Sequence, residues 1–189
     1  MTDADVVKKI FSADDLLTLP MGTGQRYELI DGELLTMAPA GNEHGFVADV
    51  ISGEVYVYLK SNKIGIGFAA ETGFYTRGDN KTVRALDYAF VSHAKVPEDG
   101  LPKGFSDIVP DLVVEVVSPN DSASYMEQKT LEWLEFGVRL VWVIFPDSQR
   151  VHIYQQGERN PTILNAGDTL TGDSVLPGFE LLVRKLFEK

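Results

Sequence analysis

The two longest apolar stretches of this chain are each about as long as a β-strand. They are Leu112–Val117, which contains Glu115, and Leu140–Phe145. Neither approaches the roughly 18 apolar residues that a membrane-spanning helix needs, so we expect no transmembrane segment. Between them the pattern predicts a helix over about 122–136, and Gly137 suits its left-handed C-cap. Strands that alternate with helices are typical of a layered domain built on a sheet.

Two local signals organise the N-terminal part of the chain. Ser12 followed by Asp15 has the spacing of a capping box, which predicts a short helix that ends before Pro20. Residues Arg26–Met37 are predicted to form a β-hairpin, because Asp31-Gly32 stands between two apolar runs.

The remainder predicts one longer helix and a series of strands. Asn42 can cap a helix that runs to about Lys60, and from Ile64 the apolar residues recur with period two. The further strands are Ile64–Ala70, Phe74–Thr76, Val83–Val91 and Val151–Gln155, with turns at Arg77–Asn80 and Pro177–Gly178 and a candidate flap at Pro97–Gly104. We expect residues 1–189 to form one α/β (α+β) domain. Its central mixed β-sheet is flanked by helices, with an N-terminal β-hairpin and a β-rich C-terminal tail.

Composition excludes several classes of protein. The 189 residues include no Cys, which excludes disulfide scaffolds, thiolate metal sites and cysteine nucleophiles and fits a reducing compartment. The first 15 residues contain no unbroken apolar segment of the kind found in secretory signals, so we expect a cytoplasmic protein. The net charge of −11 argues against simple nucleic-acid binding, which usually requires a basic surface.

Two carboxylates stand at positions that the pattern predicts to be buried. Glu115 has apolar neighbours on both sides, so both faces of its strand are expected to be covered. Asp87 shares a predicted strand face with Ala85, Ala89 and Val91, whose size leaves room beside the carboxylate. Because acidic side chains are rarely buried without a partner, both residues are candidates for function.

Lys129 lies in an aromatic stripe of the helix over 122–136. At about 100° per residue it shares a face with Tyr125, Trp133 and Phe136. The charged face of this helix, with Glu127, Gln128, Glu132 and Glu135, is predicted to point elsewhere. A lysine on an apolar stripe commonly extends its ammonium to solvent, and it could also form a purely structural ion pair with Glu115. Both alternatives stay open beside a functional role.

Two carboxylates on neighbouring strands and a lysine on the next helix would together form a metal site. Mg²⁺ prefers oxygen ligands and keeps several waters, and one such water can become a nucleophile. A lysine can orient that water or stabilise developing negative charge. This set predicts phosphodiester hydrolysis with Mg²⁺ or Mn²⁺, with Asp87 and Glu115 as metal ligands and Lys129 as the cationic helper.

Several motifs resemble the Uma-type family of endonucleases, which belongs to the PD-(D/E)xK restriction-endonuclease-like superfamily. They are Pro110–Pro119, Lys129, Glu135–Val138, Val141–Pro146, Arg26–Glu33, His44 at the start of a helix, and Pro177–Phe179. The similarity spans nearly the whole chain. It implies a restriction-endonuclease-like core and an endonuclease activity that is inferred for the family from its superfamily.

The resemblance also suggests which residue fills each place of the superfamily motif. Asp111 lies four residues before Glu115, about 13 Å along a strand, which is too far for one metal. We therefore expect Asp111 to fix the entry of its strand and Asp87 to be the superfamily's first aspartate, with Leu86 where the family usually has Pro. Val117 stands where the superfamily lysine is expected, and the resemblance implies that the lysine of this family lies on the following helix, at the position of Lys129.

Other polar residues receive weaker predictions. Glu54, which falls on an apolar helix face, and Glu43 are candidates for the extra glutamate that the superfamily often adds, and neither is preferred. His44 could support the site or act as a base, or it could be a capping residue. Glu28 and Glu33, beside the hairpin turn, are expected to be solvated, and Trp133 and Tyr125 are expected to be core residues.

The leading hypothesis is a Mg²⁺- or Mn²⁺-dependent endonuclease that hydrolyses the phosphodiester bonds of DNA and has no membrane partner. One alternative is a catalytically silent nuclease-fold module that binds a partner or nucleic acid, and another is a nuclease acting on RNA. One chain carries one site, whereas cutting both strands commonly uses two copies, so a homodimer is predicted.

Overall fold

The computed structural model describes residues 10–19 and 26–189. The helices are α1 (Ala13–Thr18), α2 (Asn42–Ser61) and α3 (Ala123–Phe136), with 3-10 turns at His93–Lys95 and Val183–Leu186. The strands are β1 (Arg26–Ile30), β2 (Glu33–Met37), β3 (Gly65–Ala69), β4 (Gly73–Tyr75), β5 (Val83–Ala85), β6 (Tyr88–Ser92), β7 (Leu112–Val116), β8 (Leu140–Phe145), β9 (Arg150–Gln155), β10 (Thr162–Leu164), β11 (Thr169–Gly172) and β12 (Leu176–Leu182).

A six-stranded mixed sheet forms the centre of the molecule, as the sequence predicts. Its order is β10-β9-β8-β7-β6-β3, and only the pair β7–β8, which α3 connects, is parallel. Alternate residues of these strands point to opposite faces. One face packs on α2 and on the C-terminal strands, around Trp142 and Phe90. The other packs on α3, around Trp133 and Val113, so the sheet lies between two layers.

A second sheet of four strands, in the order β2-β1-β5-β4, adjoins the α3 side of the structure. The predicted hairpin is present, with Asp31 and Gly32 at positive φ in its turn. The predicted single strand Val83–Val91 is wrong, because Leu86 and Asp87 separate β5 from β6. The reason is the pairing: β5 bonds to β1 and β4 in one sheet, whereas β6 bonds to β3 and β7 in the other.

The ends of the helices confirm most of the capping signals. Ser12 and Asp15 form the predicted capping box, Ser122 caps α3, and Gly137 ends α3 at φ 107°. The cap of α2 is different from the prediction, since Gly41 is the N-cap and Asn42 is already helical. In residues 10–19 and 26–189, no helix is long and apolar enough to cross a membrane.

The β-rich tail is confirmed, but its turn lies elsewhere than predicted. Pro177–Gly178 is inside β12, and the chain reverses just before it, over residues 173–175. The pairing of β11 with β12 shifts register between Thr171 and Gly172. Gly178 has φ 83°, which a residue with a side chain rarely adopts.

Candidate active site

Asp87 lies directly before β6, and Glu115 lies in the neighbouring strand β7. β6 and β7 are antiparallel with Tyr88 opposite Val114, and just beyond this pair the backbone N–H of Asp87 donates to the carbonyl oxygen of Val114 at 3.2 Å. Glu115 shares its face with Val113 and therefore points toward α3. The strand pairing thus brings two acidic side chains to one place.

Glu115 is almost fully buried and accepts two hydrogen bonds from α3. Oε2 accepts from Nζ of Lys129 at 2.9 Å, and Oε1 accepts from Nε1 of Trp133 at 2.7 Å. Burial raises the pKa of Glu115 to about 7, against the opposing effect of the Lys129 ammonium, and the charge of Asp87 raises it further. Trp133 is a core residue, as expected, and it is also a polar partner of the site.

Asp87 is held by the neighbouring strand and by α2. Its Oδ2 accepts from the backbone N–H of Val116 at 2.7 Å and lies 3.2 Å from Nε2 of His44. The hydrogen bond to Asp87 raises the pKa of His44 against the effect of burial. Nδ1 of His44 is buried and has no partner among the described residues. Of the alternatives for His44, the structure selects contact with the site over a surface capping role.

Lys129 lies between two buried carboxylates. Its Nζ is 2.9 Å from Oε2 of Glu115 and 3.1 Å from Oε1 of Glu28. Although burial disfavours its charged form, the carboxylates of Glu115 and Glu28 raise the pKa of Lys129 above its ordinary value. The side chain is 8% exposed. Lys129 is therefore a fixed ammonium ion within the site, which excludes the alternative that it extends freely into solvent.

Glu28 was predicted to be solvated, and this prediction is wrong. Its side chain is 3% exposed and joins β1 to the site through Lys129. Arg84 lies behind it, with Nη1 2.8 Å from Oε2 of Glu28 and Nη2 2.5 Å from Oε2 of Glu132. Glu132 is likewise buried rather than on a solvent face. Although burial acts to raise it, the ammonium of Lys129 and the guanidinium of Arg84 together lower the pKa of Glu28 below its ordinary value.

A cleft of about 420 Å³ lies between the hairpin, the start of α2 and the start of α3. Asp87, Glu115 and Lys129, the three residues predicted for the site, all lie on its wall, together with His44 and Glu28. Glu43 and Glu54 are exposed, and neither lines the cleft. The predicted candidates for an extra glutamate are therefore not part of this cleft.

Asp111 has the structural role that the spacing argument predicts. Its Oδ2 accepts from the backbone N–H of Ser92 at 2.9 Å, and Oδ1 lies 2.9 Å from Nζ of Lys95. These contacts tie the entry of β7 to the end of β6. Lys95 lowers the pKa of Asp111 despite its burial. Asp111 does not line the cleft.

The oxygen atoms of the cleft suit a cation that keeps most of its own water. In the part of the chain that the structure describes, no three His, Cys, Asp or Glu side chains converge at metal-binding distance. Mg²⁺ is nevertheless commonly bound by one or two carboxylates, with waters and substrate phosphate completing its shell. Within the described residues Oδ1 of Asp87 accepts no hydrogen bond, and each oxygen of Glu115 accepts one. Lone pairs remain on both carboxylates, so the donor set fits Mg²⁺ or Mn²⁺.

Sequence reasoning missed Glu28 and Arg84. Glu28 occupies a position in a hairpin whose outer strand is half exposed, so its pattern is that of a solvated glutamate. A signal was nevertheless present, since Arg84 stands between the apolar residues Val83 and Ala85 of β5, where an unpaired guanidinium would be costly. A buried arginine requires a carboxylate, and the sequence alone does not identify which one.

Comparison with known proteins agrees with this architecture. A solved structure from Anabaena variabilis ATCC 29413, described as a "putative nuclease belonging to DUF820", superposes with a TM-score of 0.80 and 21% sequence identity. The match covers 94% of this chain and 97% of that one, so the two share a nuclease-like fold. The family Uma2, described as "Putative restriction endonuclease", matches residues 13–184, and this chain belongs to that family. No curated protein matches the sequence significantly.

Proposed function

We propose that this protein is a Mg²⁺- or Mn²⁺-dependent endonuclease that hydrolyses phosphodiester bonds of DNA. The observation that carries the proposal is the convergence of Asp87, Glu115 and Lys129 in one cleft. Family membership and a nuclease-like fold support a nuclease, and the site chemistry argues for a metal-dependent one.

The electrostatics of the cleft favour a cation. Lys129 is shared by Glu115 and Glu28, so a single ammonium faces two carboxylates, and Asp87 adds a further negative charge close by. Burial is the main cause of the raised pKa of Glu115, and Asp87 adds to it through charge repulsion. A divalent cation between Asp87 and Glu115 would relieve it, because it offsets both carboxylates at once.

Each residue has a defined role in the proposed reaction. Asp87 and Glu115 would hold the cation, and a bound cation would supply an activated water and offset charge on the phosphate. Lys129 would orient the attacking water and stabilise the charge that develops on the phosphate oxygens. Val116, through its backbone N–H, holds Asp87 toward the cleft.

The net charge of −11 is the main observation against a nucleic-acid substrate, and it favours the alternative of a catalytically silent binding module. Bound divalent cations reduce the local part of that charge. The retention of all three site residues in one cleft, with free lone pairs on both proposed ligands, favours an enzyme. No residue of the cleft separates DNA from RNA by its chemistry, so both are tested.

The decisive experiment measures metal binding and cleavage on the same preparations. Mn²⁺ is titrated calorimetrically, and nicking of supercoiled DNA is followed with and without Mg²⁺ or Mn²⁺, with single-stranded DNA and RNA as further substrates. The wild type should bind Mn²⁺ and nick DNA, and Asp87→Ala and Glu115→Ala should lose both properties. Glu54→Gln, a change at an exposed residue outside the cleft, is the control. Mn²⁺ binding without cleavage of any substrate would favour the silent module.

We propose further that the active form is a homodimer, since cutting two strands uses two sites. Sedimentation at micromolar concentration should give twice the mass of the chain. A monomer under these conditions would contradict the homodimer and would leave the nicking activity of a single site in place.

A further inference from the structure

We propose that Glu28 is the positioning residue of Lys129. Together with Glu115 it fixes two of the three ammonium protons, so that the third is directed into the cleft. The proposal rests on the proposed nuclease function, and nothing in the sequence motifs assigns Glu28 a role. It concerns how the lysine is oriented rather than which residues bind the cation.

The geometry of the ammonium carries the first step. A lysine Nζ has three N–H donors and no acceptor. Nζ of Lys129 lies 2.9 Å from Oε2 of Glu115 and 3.1 Å from Oε1 of Glu28, so each carboxylate can engage one of its N–H groups. Lys129 also forms part of the cleft wall. With two donors fixed on opposite carboxylates, rotation about the last bond of the side chain is prevented, and the remaining N–H has one direction.

Glu28 is itself fixed by three donors other than the lysine. Oε1 accepts from the backbone N–H of Ala85 at 3.1 Å. Oε2 accepts from Nη1 of Arg84 at 2.8 Å and from the hydroxyl of Tyr125 at 3.1 Å. Because β5 supplies Arg84 and Ala85 and α3 supplies Tyr125, the carboxylate is held by two separate elements of the fold.

The same contacts exclude Glu28 as a metal ligand. An ionised carboxylate offers about four lone-pair sites. Oε2 of Glu28 accepts from Arg84 and Tyr125, and Oε1 accepts from Ala85 and lies 3.1 Å from the ammonium of Lys129. Both oxygens are therefore already engaged by donors and by the ammonium, so a cation would have to displace one of them. Asp87, by contrast, has an oxygen that accepts nothing from the described residues. The two acidic residues thus have different roles although both line the cleft.

A flexible lysine without this support would lose its orientation. Its stem has four rotatable carbons, and a single hydrogen bond to Glu115 leaves the ammonium free to turn. The water that Lys129 orients would then be held less well, while the cation ligands would be unchanged. The expected defect is therefore in turnover and not in binding of metal or substrate.

The first test compares Glu28→Gln with the wild type. The amide keeps the size of the side chain and removes its charge. We expect kcat to fall by about 10–100-fold, as is typical when the outer partner of a site residue is lost. KM for supercoiled DNA and the affinity for Mn²⁺ should change less than about twofold, because no contact to either is removed. Glu54→Gln is the matched control, and its kcat should equal that of the wild type.

Tyr125→Phe is a milder second variant that keeps the packing of α3. It removes one of the hydrogen bonds to Oε2 of Glu28 and should lower kcat less than Glu28→Gln does. If Glu28→Gln does not fold, Tyr125→Phe decides the question. If Glu28→Gln folds and its kcat is unchanged, the proposal is overturned. If only Tyr125→Phe folds, an unchanged kcat in that variant overturns it.

The second test does not depend on activity. In protein labelled with ¹⁵N-lysine, a fixed and buried ammonium should give a slowly exchanging Nζ signal, assigned by its loss in Lys129→Ala. We expect this signal to exchange rapidly or disappear in Glu28→Gln and to persist in Glu54→Gln. Persistence in Glu28→Gln would overturn the positioning role. A loss of Mn²⁺ affinity as large as that of Asp87→Ala would also overturn it, since Glu28 would then be a ligand. If the signal behaves as expected but the wild type cuts no substrate, the proposed function fails while the positioning of Lys129 by Glu28 stands.

Discussion

Oδ2 of Asp87 accepts a hydrogen bond from the backbone N–H of Val116 at 2.7 Å. Val116 follows Glu115 directly, so the first carboxylate of the site is attached to the strand that carries the second. Asp87 is bonded to β7 on both sides of Glu115, because its own N–H donates to the carbonyl oxygen of Val114. The site is prepared before any cation or substrate arrives.

Asp87→Asn should separate structure from charge. The amide oxygen can still accept from Val116, so the melting temperature should stay close to that of the wild type. The loss of the negative charge should reduce Mn²⁺ binding below detection in calorimetry and abolish nicking of supercoiled DNA. Retention of wild-type Mn²⁺ affinity in a folded Asp87→Asn protein would remove Asp87 from the list of ligands.

Lys129→Ala should have the opposite profile. Mn²⁺ binding should survive, since no ligand is lost, while turnover should fall by about 10²–10³, the effect of removing one well-placed electrostatic group. Loss of the ammonium also leaves Glu115 and Glu28 buried without their shared partner, at a cost of roughly 3–5 kcal/mol. Melting curves with and without Mn²⁺ therefore accompany the assay. A folded variant that nicks as fast as the wild type would make Lys129 a purely structural residue.

Metal binding should depend on pH through Glu115. Burial raises the pKa of this residue to about 7, so below that pH the carboxyl binds a proton that a cation must displace. The apparent affinity for Mn²⁺ should be nearly constant above pH 8 and should fall by about tenfold for each unit below about pH 6. Calorimetric Mn²⁺ titrations at intervals of about half a pH unit, between about pH 5.5 and 8.5, measure this pH dependence of the affinity. An affinity independent of pH would contradict the assignment.

Asp111→Asn should destabilise the protein without affecting the site. Lys95 and the N–H of Ser92 hold the pKa of Asp111 below its ordinary value of 3.8. A carboxylate with a lowered folded-state pKa contributes stability that is present above 3.8 and is lost as the pH falls through the lower value. We expect a loss of about 1–2 kcal/mol at pH 7, because Lys95 is one-third exposed, and a smaller loss at acidic pH. Urea unfolding at both pH values tests this, with Mn²⁺ affinity at pH 7 as the internal control.

The pair Arg84–Glu132 should show strong coupling. Arg84→Met removes the buried cation shared by Glu132 and Glu28 and leaves Glu132 only the half-exposed Arg77, at 3.4 Å, so it should cost roughly 3–5 kcal/mol. Glu132→Gln should be costly as well, but the double variant should lose less than the sum of the two, because each change removes the partner of the other. A double-mutant cycle by urea unfolding measures the coupling. Additive losses would show that the two residues contribute independently.

Much of the fold could be predicted because its signals are local. The capping box at Ser12, the turn at Asp31-Gly32 and the C-cap at Gly137 depend on a few adjacent residues, and all three are present. The break at Leu86–Asp87 could not be predicted, since both halves of Val83–Val91 have the same alternation. Their separation follows from which strands they pair with, and that is a long-range property of the chain.

The candidate site divides in the same way. Asp87, Glu115 and Lys129 could be found because each is a charge within an apolar pattern, and the structure brings them together. Glu28 and Glu132 could not be found, because their neighbours along the chain are typical of exposed positions. Both glutamates pair with Arg84, which lies about 50 residues after Glu28 and about 50 residues before Glu132 in the sequence. Local periodicity does not reveal a partner at that separation.

The two-residue connection between β5 and β6 has a consequence for how homologous sequences can differ in length. Ala85 is paired in one sheet and Tyr88 in the other, so the two residues between them cannot absorb a change in length. Inserting or deleting one residue there would reverse the alternation of side chains and direct the aspartate to the α2 side of the sheet. Residues 97–104, exposed and outside any helix or strand, are under no such restriction. Length polymorphism among relatives that keep the site should therefore concentrate in the loop at 97–104 and be absent from the Leu86–Asp87 connection.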